Sequence, residues 1–250
     1  MKRGAGQKSE RLDTQRYPVR SDEYLAYLNE LSREDADASM ARVPREGATG
    51  HPLWFWAGDG TWVVPTAEWL GKAPAGVRAA IARLPASHGE WEDAWPVLGL
   101  SWEDALHYAA WRRKGEGYAF TLPSDREWEG AARGADGRAF PWGDSREWTY
   151  ANSCVSSEGG AGPASVDRFP TDESPFGVRG MAGNAADPCL NDPGGKGAGL
   201  RTFRGGTWRS AGSYDVLGVH HGGPPDAVGE TQTIRLAVWP RLRDRGPDTG

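Results

Sequence analysis

Arg204-Gly205-Gly206-Thr207-Trp208 is the stretch on which the fold turns; an aperiodic run over residues 209–234 follows it, and Arg235-Leu236-Ala237 closes it. Paired glycines admit positive φ and a close backbone approach. Thr207 and Trp208 then add strand-forming bulk, which predicts a tight entry into a strand after Gly206. Between the two framed ends the sequence mixes every polarity with no helical period. A fixed frame around such a segment is a common way to build a binding surface.

Upstream lie the best-marked helices. Ser101-Trp102-Glu103-Asp104 and Ser124-Asp125-Arg126-Glu127 have the spacing of capping boxes. They predict one helix carrying Ala105, Tyr108, Ala109 and Arg112, and another carrying Trp128, Ala131 and Ala132 to a stop at Gly134. Nearer the N-terminus, Ser21 is the expected cap of a helix with Asp22 and Glu23 in its first turn and Tyr24, Leu25, Leu28 and Leu31 on one stripe. Leu53-Trp54-Phe55-Trp56 and Thr61-Trp62-Val63-Val64, joined through Gly58-Asp59-Gly60, predict a hairpin, and residues 75–84 a short helix. Residues 1–16 read as a flexible lead-in and 241–250 as a tail. Residues 134–199 are so rich in Gly, Pro, Ser and Asp that they need staples, which the 13 tryptophans or bound cations can supply.

Composition excludes several functions. A net charge of −5 with 25% charged residues gives no polyanion-binding surface, so nucleic acid is not an expected partner. No apolar run approaches the roughly 20 residues of a membrane span, and the first residues lack the apolar core of a signal peptide. Neither membrane insertion nor a secretory route is expected; the expected location is the cytoplasm, with display on a surface or particle left open. Two cysteines, Cys154 and Cys189, are too few for a disulfide scaffold and lack zinc spacing. Capping accounts for Asp104, Glu127 and Glu129 without catalysis. His220 and His221, adjacent on a strand, would face opposite sides and so do not make a metal pair. Gly194-Gly195-Lys196-Gly197 lacks the Ser or Thr of a phosphate loop and reads as a turn. Trp208 is expected in the core more than on a stacking platform.

Taken in order, Pro96-Val97-Leu98-Gly99-Leu100-Ser101-Trp102-Glu103-Asp104-Ala105, Leu122-Pro123-Ser124-Asp125-Arg126-Glu127-Trp128-Glu129, Phe140-Pro141-Trp142-Gly143, Gly177-Val178-Arg179-Gly180-Met181-Ala182-Gly183-Asn184, Arg204-Gly205-Gly206-Thr207-Trp208 and Ile234-Arg235 resemble the formylglycine-generating enzyme (sulfatase-modifying factor) domain. The resemblance implies an α+β, C-type-lectin-like fold over residues 17–240, with small antiparallel sheets, a few helices and long loops. Residues 40–96 would then be a family-specific insertion. The family's enzymes hold Cu(I) with two cysteines shortly after the Gly-Gly motif, where this chain has Ser210 and Asp215. No catalytic residue is carried over, and neither copper nor iron is expected, since His51, His88, His107, His220 and His221 show no ligand pattern. The family's aromatic-Glu-aromatic triplet is replaced by Ala186-Asp187-Pro188. Calcium is the one cofactor the resemblance admits, through Asn152, Asp167 and Asp187 and the carbonyls of Ser153 and Phe169.

The opening stretch is also similar to that of variable proteins of diversity-generating retroelements, which rewrite a C-terminal segment on this same scaffold. That resemblance implies a variable region at 204–236. Its binding face would begin with Trp208, Arg209, Ser210, Gly212, Ser213, Tyr214, Asp215 and Val216. It would continue through Gly218, Val219, His220, His221 and Asp226 to Glu230, Thr231 and Gln232. Tyrosine offers rigid contact area and the His, Asp, Glu, Thr and Gln side chains adaptable hydrogen bonds, a mixture typical of paratopes. The expected partner is a protein or cell-surface ligand. A metal-dependent oxidase or sulfoxide synthase with relocated ligands, or a structural or regulatory domain of a larger assembly, is the alternative.

Overall fold

The computed structural model describes residues 13–57, 59–73, 75, 91–115, 118–156, 162–191, 199–210 and 217–240. Among the described residues, helices α1 (Ser21–Glu34), α2 (Ala36–Arg42), α3 (Ala67–Lys72), α4 (Trp102–Gly115) and α5 (Asp125–Arg133) accompany eight short strands. One sheet has the order β1-β8-β4, from Asp13–Thr14, Ala237–Pro240 and Tyr118–Thr121. A second has the order β5-β6-β7, from Asp187–Pro188, Arg201–Arg204 and His220–Gly223. The remaining pair, β2 (Phe55–Trp56) and β3 (Trp62–Val63), is the expected hairpin. All the paired strands are antiparallel, as the sequence led one to expect of a loop-rich α+β fold.

Both capping boxes form. In α5 the Ser124 hydroxyl accepts the Glu127 N–H while Glu127 takes the Ser124 N–H at 2.7 Å, and Gly134 ends the helix at φ 71°. At α4, Asp104 accepts both the backbone N–H and the hydroxyl of Ser101 at 2.8 Å. Asp104 also does more than cap: it is fully buried and receives Arg42 at 2.9 Å and Arg45 at 3.0 Å.

Three sequence expectations are corrected. Ser21 does not cap α1; Arg20 stands at the cap with its N–H on Glu23, and the buried Ser21 hydroxyl donates to the Trp95 carbonyl. Residues 13–16, read as lead-in, belong to the fold, because Thr14 pairs with Ala237 and Arg235 holds the carbonyls of Gln15 and Arg16. The strand at the Gly-Gly motif precedes the glycines rather than following them. Gly205, at φ 86°, ends β6, and Thr207 and Trp208 enter a turn in which the Ser210 hydroxyl accepts the Thr207 N–H at 2.9 Å. The close approach read from the glycines is real, since a Cβ on Gly205 would sit 2.9 Å from the Met181 carbonyl oxygen.

The main core is aromatic: Tyr24, Tyr27, Trp54, Trp62, Trp91 and Tyr108 join the aliphatics of α1, α4 and the strands. Residues 40–96 therefore supply much of the core, through Val43, Leu53, Trp54, Trp62, Val64 and Trp91. The predicted helix at 75–84 and the turn at 194–197 lie outside the described residues, apart from Ala75.

Candidate functional site

Behind the site lies a buried column of charge. Asp187 on β5 faces Arg204 on β6. The Arg204 side chain, 1% exposed, pairs with Glu129 at 2.6 Å and Asp125 at 3.2 Å, with its guanidinium 5.0 Å from the centroid of the Trp128 ring. Burial works to raise the Glu129 carboxyl, but the Arg204 charge and the bonds from Arg133 and Arg204 outweigh it and hold the group below its usual range. Asp187 accepts the Trp128 indole N–H at 2.8 Å and Arg235 Nε at 2.7 Å. Arg235 spends its other nitrogens on the carbonyls of Gln15, Arg16, Arg179 and Gly180. Paired charges at this depth need such saturation, because each ion alone carries a desolvation cost of several kcal/mol.

In front of the column, the β5-β6-β7 sheet floors an open cleft of about 430 Å³. Phe203 and His221, cross-strand partners in β6 and β7, lie in its floor with Gly222 and Gly223. Thr207, Arg209 and Ser210 form one wall, and Ala186, Thr231 and Gln232 the other. The second wall is tied to β5, as Ala186 bonds Thr231 and Thr233 through its backbone. Partial desolvation, then the adjoining His220, lower the His221 imidazole below its ordinary value. An ion pair of 2.5 Å joins Arg209 of the first wall to Glu230, which lies outside the lining.

Of the expected binding residues, Arg209, Ser210, His221, Thr231 and Gln232 line this cleft. Gly218, His220 and Asp226 are exposed and Val219 half-buried. Trp208 is only 7% exposed, in line with the core reading. Gly212, Ser213, Tyr214, Asp215 and Val216 lie outside the described residues, as does His88. His220 is absent from the lining and His221 present in it, as adjacent strand positions require. Phe203, Thr207, Ala186, Gly222 and Gly223 were not foreseen. The period-2 placement of Phe203 beside Arg204 would have signalled it, had the strand been placed before the glycines.

The residues nominated for calcium are divided. Asn152 and Phe169 border a second, polar cavity of about 590 Å³ that also contains Arg168. The Asn152 amide donates to Asn184 and to the Gly162 carbonyl at 2.9 Å, and the Ser153 carbonyl accepts the Ser156 hydroxyl. Asp167 is exposed and not in the lining, while Asp187 is committed to Arg235. Calcium takes six to eight oxygens with carboxylates among them. Among the described residues this set does not fit it, because the cavity carries an arginine and no carboxylate. No three His, Cys, Asp or Glu side chains among the described residues group closely enough to hold a metal ion. Both cysteines are free: Cys189 is buried, which pushes its thiol up, and Cys154 is exposed, its N–H donating to the Ser210 carbonyl at 3.1 Å. No helix among the described residues is long and apolar enough to cross a membrane.

The family described as the sulfatase-modifying factor enzyme 1-like domain matches residues 10–238. An inactive C-alpha-formylglycine-generating enzyme 2 from Bos taurus is 27% identical over 190 residues, 70% of this chain and 58% of that protein. A formylglycine-generating enzyme from Thermomonospora curvata is 33% identical over 143 residues, 52% of this chain and 41% of that protein. The chain thus spans about half the length of these curated relatives. Among solved structures, PvdO from Pseudomonas aeruginosa aligns with a TM-score of 0.64 at 19% identity, covering 91% of this chain and 80% of its own. Treponema denticola variable protein 1 aligns with a TM-score of 0.51 at 21% identity, covering 61% of this chain and 74% of its own. At these identities the likeness is one of fold.

Proposed function

The chain belongs to the sulfatase-modifying factor enzyme 1-like domain family, and from that premise we propose that it is a non-catalytic binding protein, with the cleft walled by Arg209, Ser210, Thr231 and Gln232 as its recognition face. The observation that carries this is the split between frame and face: Arg204, Asp187 and Arg235 are at most 1% exposed, while in the cleft beside them Arg209 and His221 are exposed and Ser210, Thr231 and Gln232 half-buried. Where the resembling enzymes place a copper thiolate, this chain has the Ser210 hydroxyl, bonded into the Thr207 turn. The inactive relative in Bos taurus supports loss of catalysis within the family. The fold shared with a variable protein supports display of residues 204–236 as a diversified surface. The openness of the cleft favours a protein or cell-surface chain over a small metabolite, which is usually enclosed on most sides.

The test is a library in which Gly218, Val219, His221, Glu230, Thr231 and Gln232 are randomised together and thermal midpoints are measured. Surface changes are each worth within about 0.5 kcal/mol, so most members should melt within about 5 °C of the parent. Collapse of most members would place these side chains in the folding core and end the display reading. Gly229 stays fixed, because a Cβ there would lie 2.5 Å from the Gln232 side chain.

A metal-dependent enzyme with relocated ligands is the second reading. The exposed thiol of Cys154 favours it, because that residue is hydrogen-bonded through its backbone to Ser210. Partner binding that survives Cys154→Ser with no change in copper or iron content argues against it.

A further inference from the structure

Arg209 sits where a foreign cation would sit. Its guanidinium carbon lies 5.3 Å from the centroid of the Trp208 ring, and its Nη1 is 2.5 Å from Glu230 Oε2. Arg209 comes from the turn after the glycines and Glu230 from just before the wall residues Thr231 and Gln232, so the bridge crosses between segments 21 residues apart. Behind it, Trp208 and Glu230 border a cavity of about 20 Å³ together with Trp91, Trp95 and Leu98. The open cleft has Arg209 in its lining and the small cavity has Glu230, so the ion pair forms the partition between them.

A tryptophan face with a carboxylate at its rim attracts a guanidinium or ammonium group and repels an anion. The resident cation is held loosely. The Arg209 side chain is 59% exposed and that of Glu230 35%, and an ion pair this open to water contributes little to stability. Swinging Arg209 into solvent would take its guanidinium off the Trp208 ring and free the Glu230 carboxylate.

We propose that Trp208 and Glu230 form a docking seat for an arginine or lysine side chain of a peptide ligand lying in the cleft, with Arg209 as its built-in competitor. The proposal rests on the binding reading above and gives the ligand's chemistry: a basic peptide segment. Arg209 then sets selectivity by requiring any incoming cation to displace it, so uncharged and acidic segments leave the partition closed.

The probe is acetyl-Gly-Arg-Gly-amide, titrated into the intact chain and followed by the indole N–H resonances, with the citrulline peptide as a control of the same shape and no charge. Arg209→Ala should bind the arginine peptide about two- to sixfold more tightly than the parent, the gain expected from removing an internal competitor of that strength. Glu230→Gln should weaken binding and, combined with Arg209→Ala, abolish the gain. Arg209→Gln, which removes the competing charge but keeps a polar side chain at the position, should show a gain in the same direction and guards against a folding defect in the alanine variant. Equal or weaker binding by both Arg209 variants, or equal binding of the citrulline peptide, overturns the proposal. A collapsed library together with an intact gain removes the display reading and leaves the seat; a folded library without the gain removes the seat alone.

Discussion

Replacing Arg235 by lysine keeps the positive charge beside Asp187 and removes the planar fork. The guanidinium makes five contacts: Asp187 at 2.7 Å, the Gln15 and Arg16 carbonyls at 3.2 and 3.1 Å, and the Arg179 and Gly180 carbonyls at 2.8 and 3.3 Å. An ammonium has three donors, so at least two of the five are lost, at about 0.5–1.5 kcal/mol each. Arg235→Lys should therefore cost about 1–3 kcal/mol. With a urea slope near 3 kcal/mol/M for a chain of this size, the midpoint should fall by about 0.3–1 M, read by circular dichroism and tryptophan fluorescence together. Arg235→Met should be worse, at about 3–5 kcal/mol, because it strands the Asp187 carboxylate in the core. A lysine variant within about 0.1 M of the parent, or a methionine variant no worse than the lysine one, would refute the claim that this arginine clamps the frame.

Gly205→Ala should destabilise by at least about 1–2 kcal/mol, seen as a lower melting temperature, since the residue lies at φ 86° and its Cβ would meet the Met181 carbonyl oxygen at 2.9 Å. Ser124→Ala should cost about 1 kcal/mol by leaving a first-turn N–H of α5 without its cap, lowering the midpoint by about 2–4 °C. Asp172 is buried, and burial, opposed by N–H bonds from Ala182 and Met181 and by the Arg235 charge, raises its carboxyl from 3.8 to about 7. The folded state then holds a proton that the unfolded chain has already released, so this contribution is present at the acid end and lost as pH rises through 7. Relative to Asp172→Asn, the parent should lose up to about 4 kcal/mol between pH 4 and 8, and parallel stability curves for the two proteins would exclude it.

What was legible in the sequence was local. The capping boxes at Ser101 and Ser124 need only residues three apart, and both form as read. The hairpin at 55–63 needs only its own turn. The strand at the Gly-Gly motif was misplaced because its partners are distant: β6 pairs with β5 about 15 residues upstream and with β7 about 20 downstream, and neither distance leaves a local mark. The same limit hid Arg235, read as a closing landmark, whose partners lie at residues 15–16, 179–180 and 187. Arg209, Ser210, His221, Thr231 and Gln232 were singled out because an aperiodic segment stands out between framed ends. Phe203 was missed because it looks like any strand residue until the register sets it opposite His221.

The costs of changing these two classes of residue differ enough to bear on function. A change in the column behind the sheet leaves a buried charge or carbonyl unpaired, at about 3–5 kcal/mol against a total stability of about 5–15 kcal/mol for the whole chain. A change among His221, Thr231 and Gln232, on the surface of the same sheet and its neighbouring wall, is worth about a tenth of that. Arg204 and Arg209 show the contrast within one turn: the first is 1% exposed between two carboxylates, the second 59% exposed over Trp208. A domain built this way can change the side chains of this cleft without approaching its unfolding threshold, provided that the glycine turn between the two arginines keeps its geometry.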